Sequence, residues 1–371
     1  MPELNHLTAI HAFSGGALWL LGSLLLIGFD KANAQGGRWL GAFYSILACT
    51  FTQLFLEEFR VGGALLIHLL EVPRWAVLPS LYMAVSYYVS PSKPKKRWIL
   101  HFVPFLAFLL FSLVYLIPNL FNEQNNMPTL PASVGHIVRY FFLVQTIFYW
   151  ILCFYLFRSH QKNIKMLASF TEKIDLEWLK YLLMSVLFLI FIRILAISSN
   201  SVASLAPILY FLGIILVAYS TLSQKSIYAI ESNIPKAEDS ANPKKASNER
   251  LTTEQVAQLK SIVLRKTIDE KLYLDPSLTL SMLSGEIGIS THELSYILNS
   301  GLGKSFYQFI NELRTEEAKS LLLSDDLKHL DLLGIAIRAG FNSKTTFYTT
   351  FKKATNLTPK EYIQANSKTV S

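Results

Sequence analysis

Seven long apolar stretches, separated by short polar segments, occupy the first 222 residues of the chain. They cover approximately 8–29, 39–57, 62–90, 98–117, 136–157, 177–198 and 204–222. About 20 residues of α-helix cross a bilayer core about 30 Å thick, so each stretch has the length of a membrane span. Pro73 and Pro79 in the third stretch predict a kink, because proline cannot donate the hydrogen bond that a helix interior needs. The pattern predicts a bundle of seven transmembrane helices.

The pattern changes twice after residue 222. Residues 223–251 are rich in Ser, Asn, Lys and Glu and show no lasting apolar period, which is typical of a flexible linker. From residue 252 to residue 371, apolar positions recur at helical spacing without strand-like alternation. We therefore predict an all-α chain in three parts: a membrane domain over 1–222, a cytoplasmic linker over 223–251 and a helical domain over 252–371.

Composition agrees with this division. The chain is 51% hydrophobic and 16% charged, whereas soluble domains carry roughly 25% charged residues. Residues 1–222 hold 15 Lys and Arg with 9 Asp and Glu, and residues 223–371 hold 19 and 17. Both cysteines, Cys49 and Cys153, lie in apolar stretches, which excludes a disulfide-based scaffold. Catalytic and phosphate-binding motifs are missing from the sequence, so we expect no enzyme activity, no cofactor and no bound metal.

The charge of the loops predicts the orientation of the bundle. With the N-terminus outside, the internal segments 30–38, 91–97 and 158–177 carry ten basic residues, whereas the external segments carry one, Arg60. Basic loops stay on the cytoplasmic side of a membrane. An odd number of spans then places the C-terminal domain in the cytoplasm, attached to the cytoplasmic membrane by a multi-pass anchor.

Ionisable residues inside the predicted spans form one candidate site. They are Glu57, Glu58, Glu71, Arg74, Arg139 and Arg193. Each is costly in hydrocarbon and normally faces the bundle interior, a water-filled cavity or a charged partner. One interpretation is an outward-facing pocket for an anionic or zwitterionic small ligand. The other is a set of ion pairs that lock the helices together.

A short pattern occurs twice in the C-terminal part, over about 279–300 and 331–353. Each copy has a small residue, a glycine four positions later and a serine before the next helix: Ser284, Gly288 and Ser290, then Ala336, Gly340 and Ser343. The small residue lets two helices cross closely, the glycine permits a tight turn, and the serine caps the second helix. The repeat predicts two helix-turn-helix units joined by an amphipathic helix over 305–323.

The second helix of such a unit lies in the major groove of DNA. The side chains predicted to contact bases are His292, Ser295 and Tyr296 in the first unit and Thr345, Thr346 and Thr349 in the second. The residues suited to phosphate contact are Asn342, Ser343, Lys344, Lys352 and Lys353. Residues 338–368 carry six Lys or Arg against one acid, Glu361. We therefore predict double-stranded promoter DNA as a partner.

Residues 278–364 resemble the DNA-binding domain of the AraC/XylS family of bacterial transcription regulators. The resemblance is carried by LTLSMLSGEIGISTHELSYILNSGLGKSFYQFINELRTEEAKSLL and, more specifically, by AGFNSKTTFYTTFKKATNLTPKEY. It implies two helix-turn-helix units that a linker helix holds rigidly, so that they read adjacent segments of the major groove. RNA polymerase is a further partner that such a regulator implies.

The first unit departs from the pattern of that family. In that family the second helix of the first unit often carries basic residues, whereas here only His292 can become positive. After the second unit, Ile363 stands where the family often has Arg. Affinity for DNA tracks the number of phosphates neutralised. We therefore predict that binding relies on the second unit and on a homodimer formed on DNA.

The stretch from LPSLYMAVSYYVSP to KKRWILHFVPFL resembles the seven-helix membrane sensor regions that are attached to AraC-type domains in some bacteria. The leading hypothesis is a one-component transcription regulator anchored in the bacterial inner membrane, whose bundle senses an unknown signal. The alternatives are a membrane transporter with a regulatory tail and a membrane-anchored protein whose helical tail binds protein.

Overall fold

A computed structural model describes residues 6–28, 33–59, 61, 63–90, 98–117, 132–170, 176–198, 200–222, 253–324 and 329–367. Within these ranges the chain is helical and forms no strand; an isolated antiparallel bridge joins Ala168 to Thr279. The all-α fold class predicted from the sequence is confirmed. The predicted linker 223–251 and the predicted internal segment 91–97 lie outside the described residues.

The helices form two compact units. The first contains residues 1–159 and 176–226, and the second contains residues 160–175 and 227–371. The predicted boundary near residue 222 therefore lies close to the start of the larger part of the second unit. The inclusion of 160–175 in that unit was not expected from the sequence.

The first unit contains the apolar helices. They are α1 (His6–Ile27), α2 (Ala34–Glu58), α3 (Ala64–Glu71), α4 (Val77–Val89), α5 (Val103–Phe111), α6 (Ala132–Leu167), α7 (Glu177–Ser198) and α8 (Asn200–Leu222). In the described part of the chain, six helical stretches are long and apolar enough to cross a bilayer, and α3 and α4 together make one of them. The fourth predicted span, 98–117, corresponds to a shorter apolar helix, Trp98–Val114.

Two predicted features of these helices have clear structural outcomes. The kink expected in the third span is present, because a 3₁₀ turn over Val72–Ala76 contains Pro73 and separates α3 from α4. Helix α6 has 36 residues, about 54 Å at 1.5 Å per residue. It therefore continues well past residue 157, where the predicted span ends.

Small residues and exposed apolar side chains are typical of the first unit. A Cβ atom on Gly41 of α2 would lie 2.9 Å from the carbonyl oxygen of Gly22 on α1, so these two helices cross in close contact. Such contacts are common between membrane helices. Phe148 and Ile151 of α6 are 54% and 55% exposed, which favours a surface that faces lipid.

The second unit contains the remaining helices. They are α9 (Thr253–Asp269), α10 (Leu280–Ile287), α11 (Thr291–Tyr296), α12 (Phe306–Leu322), α13 (Leu332–Arg338), α14 (Lys344–Thr355) and α15 (Pro359–Ser367). The unit has two hydrophobic cores, and α12 contributes to both: Phe306 and Ile310 lie in the first, and Ala318 and Leu322 in the second. Helix α12 is therefore the rigid link between two small helical modules, close to the predicted range 305–323.

Candidate nucleic-acid interface

The first module forms a helix-turn-helix from α10 and α11. Helix α10 ends at Gly288, whose φ of +84° is the left-handed conformation that the tight turn needs. Ser290 begins α11 with a capping box: its side chain accepts a hydrogen bond from the Glu293 N–H, and the Glu293 carboxylate accepts one from the Ser290 N–H. Leu294 is fully buried in the core. The roles predicted for Gly288 and Ser290 are confirmed.

The second module repeats this arrangement with α13 and α14. Gly340 has a φ of +88°, and the Ser343 side chain accepts a hydrogen bond from the Thr346 N–H at the start of α14. Phe347 and Phe351 are both fully buried and seat α14 on the core of the module. The structure thus contains two helix-turn-helix modules whose second helices are α11 and α14.

Most of the side chains predicted to read bases reach solvent. His292 and Tyr296 of α11 and Thr345 and Thr349 of α14 are exposed. Ser295 is half-buried, and its carbonyl oxygen accepts a hydrogen bond from Asn299 Nδ2 at 2.8 Å. These five side chains occupy the outer surfaces of α11 and α14.

Thr346 lies differently from the prediction. Its side chain is 4% exposed, because position 346 precedes the buried Phe347 and turns toward the core at the start of α14. A side chain in that position does not present its hydroxyl to a groove. We therefore remove Thr346 from the base-reading set.

The residues predicted to contact phosphate lie around the start and the last turn of α14. Asn342, Lys344, Lys352 and Lys353 are exposed, and Ser343 is half-buried. The Ser343 hydroxyl oxygen is engaged as the helix cap, so its backbone N–H is the better candidate donor to a phosphate. The ammonium of Lys344 lies 5.7 Å from the centre of the Tyr348 ring, an interaction that holds it near the helix surface.

Lysines near the first module bond to the protein instead. Lys260 Nζ donates to the carbonyl oxygen of Gly301 at 3.0 Å, and Lys266 Nζ donates to that of Glu286 at 2.7 Å. Lys304 forms an ion pair with Glu312. Lys352 and Lys353 of the second module are exposed without such a bond to any described residue, and near the first module Arg265 of α9 is exposed as well.

A turn over residues 272–275 lies at the junction of the two modules, and the sequence analysis missed it. A Cβ atom on Gly340 would lie 2.7 Å from the carbonyl oxygen of Tyr273 and 2.8 Å from the Cα atom of Leu274. Arg314 of α12 is fully buried, and its Nε donates to the same Tyr273 carbonyl at 2.7 Å. The signal for Arg314 is its position: it interrupts the apolar stripe of α12 between Ile310 and Ala318.

The ionisable residues predicted in the membrane bundle form a partial network. Arg74 Nη2 donates to Gln53 Oε1 at 3.0 Å, and Gln53 Nε2 donates to Glu57 Oε1 at 2.9 Å. Arg74 also lies 3.4 Å from Glu71. Gln53, which connects these charges, was not predicted, because a single amide in an apolar stretch gives no pattern.

The remaining members of the predicted set take no part in these contacts, and Arg193 bonds to Tyr210 instead. Glu58 is 3.8 Å from His11 Nε2, and Arg139 and Arg193 are exposed. Because Glu57, Glu71 and Arg74 bond within the bundle, the contacts favour ion pairs that hold helices together over an open ligand pocket.

Comparisons with known proteins agree with the geometry of the second unit. A family model described as a helix-turn-helix domain matches residues 283–365. An HTH-type transcriptional regulator of Staphylococcus aureus (strain COL), described as uncharacterized, is 38% identical over 94 residues, which are 25% of this chain and 12% of that protein. The xylose operon regulatory protein of Escherichia coli (strain K12) is 36% identical over 81 residues, 22% of this chain and 20% of that protein.

One solved structure is also similar. It is the C-terminal domain of the two-component response regulator yesN from Fusobacterium nucleatum, which is 32% identical and matches 30% of this chain and 99% of that chain, with a TM-score of 0.24. The matches to the curated relatives span no more than about a fifth of their lengths. The family match falls in the C-terminal part of this chain, where residues 283–365 form a helix-turn-helix domain.

Proposed function

We propose that this protein is a membrane-anchored one-component transcription regulator. The observation that carries the proposal is a pair of helix-turn-helix modules on one linker helix, with exposed polar side chains on both recognition helices. His292, Ser295 and Tyr296 of α11 and Thr345 and Thr349 of α14 read base edges. Asn342, the Ser343 N–H, Lys344, Lys352 and Lys353 hold phosphates.

The apolar helices of the first unit support the membrane anchor. In a bilayer, α7 and α8 form two consecutive crossings, so residue 170 and residue 223 lie on the same side. The hydrogen bond of 2.9 Å from Asn311 Nδ2 to the Ser169 carbonyl supports the same arrangement. Since the segment 158–177 is basic, that side is the cytoplasm, where DNA is available.

The regulator binds DNA as a pair of protomers and signals to RNA polymerase. A single copy has few free cations on its first module, so one copy neutralises few phosphates. The stimulus is sensed by the helical bundle, in which the network of Gln53, Glu57, Glu71 and Arg74 connects α2 to α3 and the 3₁₀ turn that follows it.

The test is DNA binding by the full chain in lipid nanodiscs, with genomic fragments selected by the protein itself. We expect log affinity to fall linearly with log salt, and the double variant Lys352→Gln, Lys353→Gln to reduce that slope by about two. The matched control is Lys162→Gln, an exposed lysine away from the recognition helices, which leaves the slope unchanged. A wild-type chain that selects no fragments, or a slope that the double variant does not alter, contradicts the proposal.

A further inference from the structure

Residues 160–170 belong structurally to the DNA-binding unit, although they continue the apolar helix α6. In the sequence, this stretch lies in the basic internal segment 158–177, and residues 223–251 are the predicted linker between the two parts of the chain. In the second unit, however, the end of α6 and the residues that follow it are packed against α12 and the start of α10.

Ser169 is the centre of these contacts and is fully buried. Its hydroxyl donates to the Leu278 carbonyl oxygen at 2.7 Å, next to the N-cap of α10. Its own carbonyl oxygen accepts hydrogen bonds from Asn311 Nδ2 at 2.9 Å and from Arg314 Nη1 at 3.4 Å. Ser169 therefore bonds to α12 and to the residue before α10 at the same time.

Arg314 explains why Ser169 is held there. Its guanidinium is fully buried, and none of the ion pairs among the described residues includes it. It is satisfied by oxygens instead: Nη2 donates to the Asp275 carbonyl at 2.7 Å and to Ser169 Oγ at 3.1 Å. Burial lowers the pKa of Arg314 to about 10, so the group stays charged at neutral pH. A buried cation that loses acceptors is strongly destabilised, and Ser169 supplies two of its acceptors.

Apolar residues on both sides of Ser169 are also buried, and we call the place that they and Ser169 occupy in the DNA-binding unit the seat. Ala168 is fully buried, and Ile164 and Phe170 are 7% and 4% exposed. Leu167 packs against the core of the first helix-turn-helix module. The opposite face of the segment carries Lys162, Asn163 and Lys165, which are exposed. One face of the segment therefore packs within the DNA-binding unit, and the opposite face is exposed to solvent.

Most of the side chains proposed to contact bases stay exposed to solvent when residues 160–170 are docked. His292, Tyr296, Thr345 and Thr349 are exposed while Ser169 is in place. Its contacts lie at the start of α10 and in the middle of α12. Docking and DNA binding are therefore compatible, and the segment is not an inhibitory plug.

We propose that residues 160–170 are a docking element that couples helix α6 to the DNA-binding unit. The proposal rests on the function proposed above. With Ser169 seated on Asn311 and Arg314, α12 and the first helix-turn-helix module move with the cytoplasmic end of α6. Because α6 runs continuously into this segment, a displacement of α6 in the membrane reaches the DNA-binding unit through the docked residues as well as through the linker.

The first test measures burial of the docking face by thiol labelling of the full chain in nanodiscs, with Cys49 and Cys153 replaced by alanine. Ala168→Cys places a thiol in the seat with little change in size, and Asn163→Cys places one on the exposed face of the same segment. We expect Ala168→Cys to react at least about tenfold more slowly, because it must wait for local opening. Equal rates at the two positions overturn the proposal.

The second test measures retention. A protease site is inserted within residues 235–245, the full chain is reconstituted in nanodiscs, and the linker is cut. We expect the C-terminal fragment to stay on the nanodisc in the wild type and in Asn163→Trp, and to be released in Ala168→Trp, whose indole does not fit the seat. Release to the same extent in all three overturns the proposal.

Binding of the uncut Ala168→Trp chain to the selected DNA in the same nanodiscs, within about twofold of the wild-type affinity, shows that its DNA-binding unit is folded. If the docking tests fail while this binding persists, the coupling is wrong and the proposed function stands. If the wild type binds no DNA, the proposed function itself is wrong.

Discussion

At the scale of single residues, the two turn glycines look alike in the sequence but differ in their surroundings. Gly288 and Gly340 both have a left-handed φ, and a Cβ atom at Gly288 would meet no atom within 4 Å. At Gly340 the same atom would lie less than 3 Å from the backbone of Tyr273 and Leu274, which cannot move aside as a flexible side chain would.

We therefore predict unequal costs for alanine at the two positions. Gly288→Ala lowers the free energy of the unfolding that exposes the core amides by about 1–2 kcal/mol, from backbone strain alone. Gly340→Ala lowers it by about a further 1–3 kcal/mol, because overpacking is added to strain. Hydrogen exchange of the core amides near Leu294 and Phe347 in the full chain measures both values. Equal losses would show that the contact between Gly340 and the 272–275 turn is absent in solution.

At the scale of elements, the cap of α11 makes the first recognition helix sensitive to acid. The Glu293 carboxylate accepts hydrogen bonds from the Ser290 hydroxyl and N–H, which lower its pKa below the ordinary value of 4.5. Because the pKa is lower in the folded state, the cap stabilises α11 fully above pH 4.5 and loses its effect as the pH falls through the lowered pKa.

The variant Glu293→Gln tests this cap. Hydrogen exchange of α11, corrected for the intrinsic rate at each pH, is expected to be modestly faster in the variant than in the wild type between about pH 6 and 8, because a glutamine oxygen can close the same capping box but lacks the charge that strengthens the carboxylate's hydrogen bonds. The difference should shrink below pH 4.5. Glu270→Gln, an exposed acid in the turn that follows α9, serves as the control and should leave the exchange of α11 unchanged. A difference that stays constant down to low pH would exclude the carboxylate as the cap.

At the scale of the whole molecule, the uneven distribution of free cations predicts cooperation between two copies. The second module presents Lys344, Lys352 and Lys353 to solvent, whereas lysines near the first are engaged within the protein. Two linked copies raise the effective concentration of the second reading surface.

We predict that the full chain in nanodiscs holding two copies binds a paired DNA site at least about 100-fold more tightly than a single half-site at the same salt concentration. Nanodiscs holding one copy should lose this gain. Fluorescence anisotropy with the selected operator and its halves measures both affinities. Nanomolar binding of one copy to one half-site in physiological salt would refute the prediction.

The docking element belongs to the same scale, because it makes the linker only one of two connections between the helical bundle and the DNA-binding unit. The homodimer predicted from the sequence permits control through association of protomers. The contacts of Ser169 with α12 permit a transmitted motion as well, so both means of control are available to this protein.

The sequence by itself determined the features that depend on near neighbours. The apolar stretches, the 3₁₀ break at Pro73, the turns at Gly288 and Gly340 and the caps at Ser290 and Ser343 all follow from residues within a few positions of one another. Backbone sterics, capping and helical periodicity act over such distances, so their patterns can be read along the chain.

Only the tertiary structure decided which distant groups meet. Ser169 bonds to residues 142 and 145 positions away along the chain, Gln53 joins charges on separate helices, and Thr346 turns inward although its neighbour Thr345 is exposed. Isolated polar residues leave no periodic trace, and the partner that satisfies each one is set by how the helices pack.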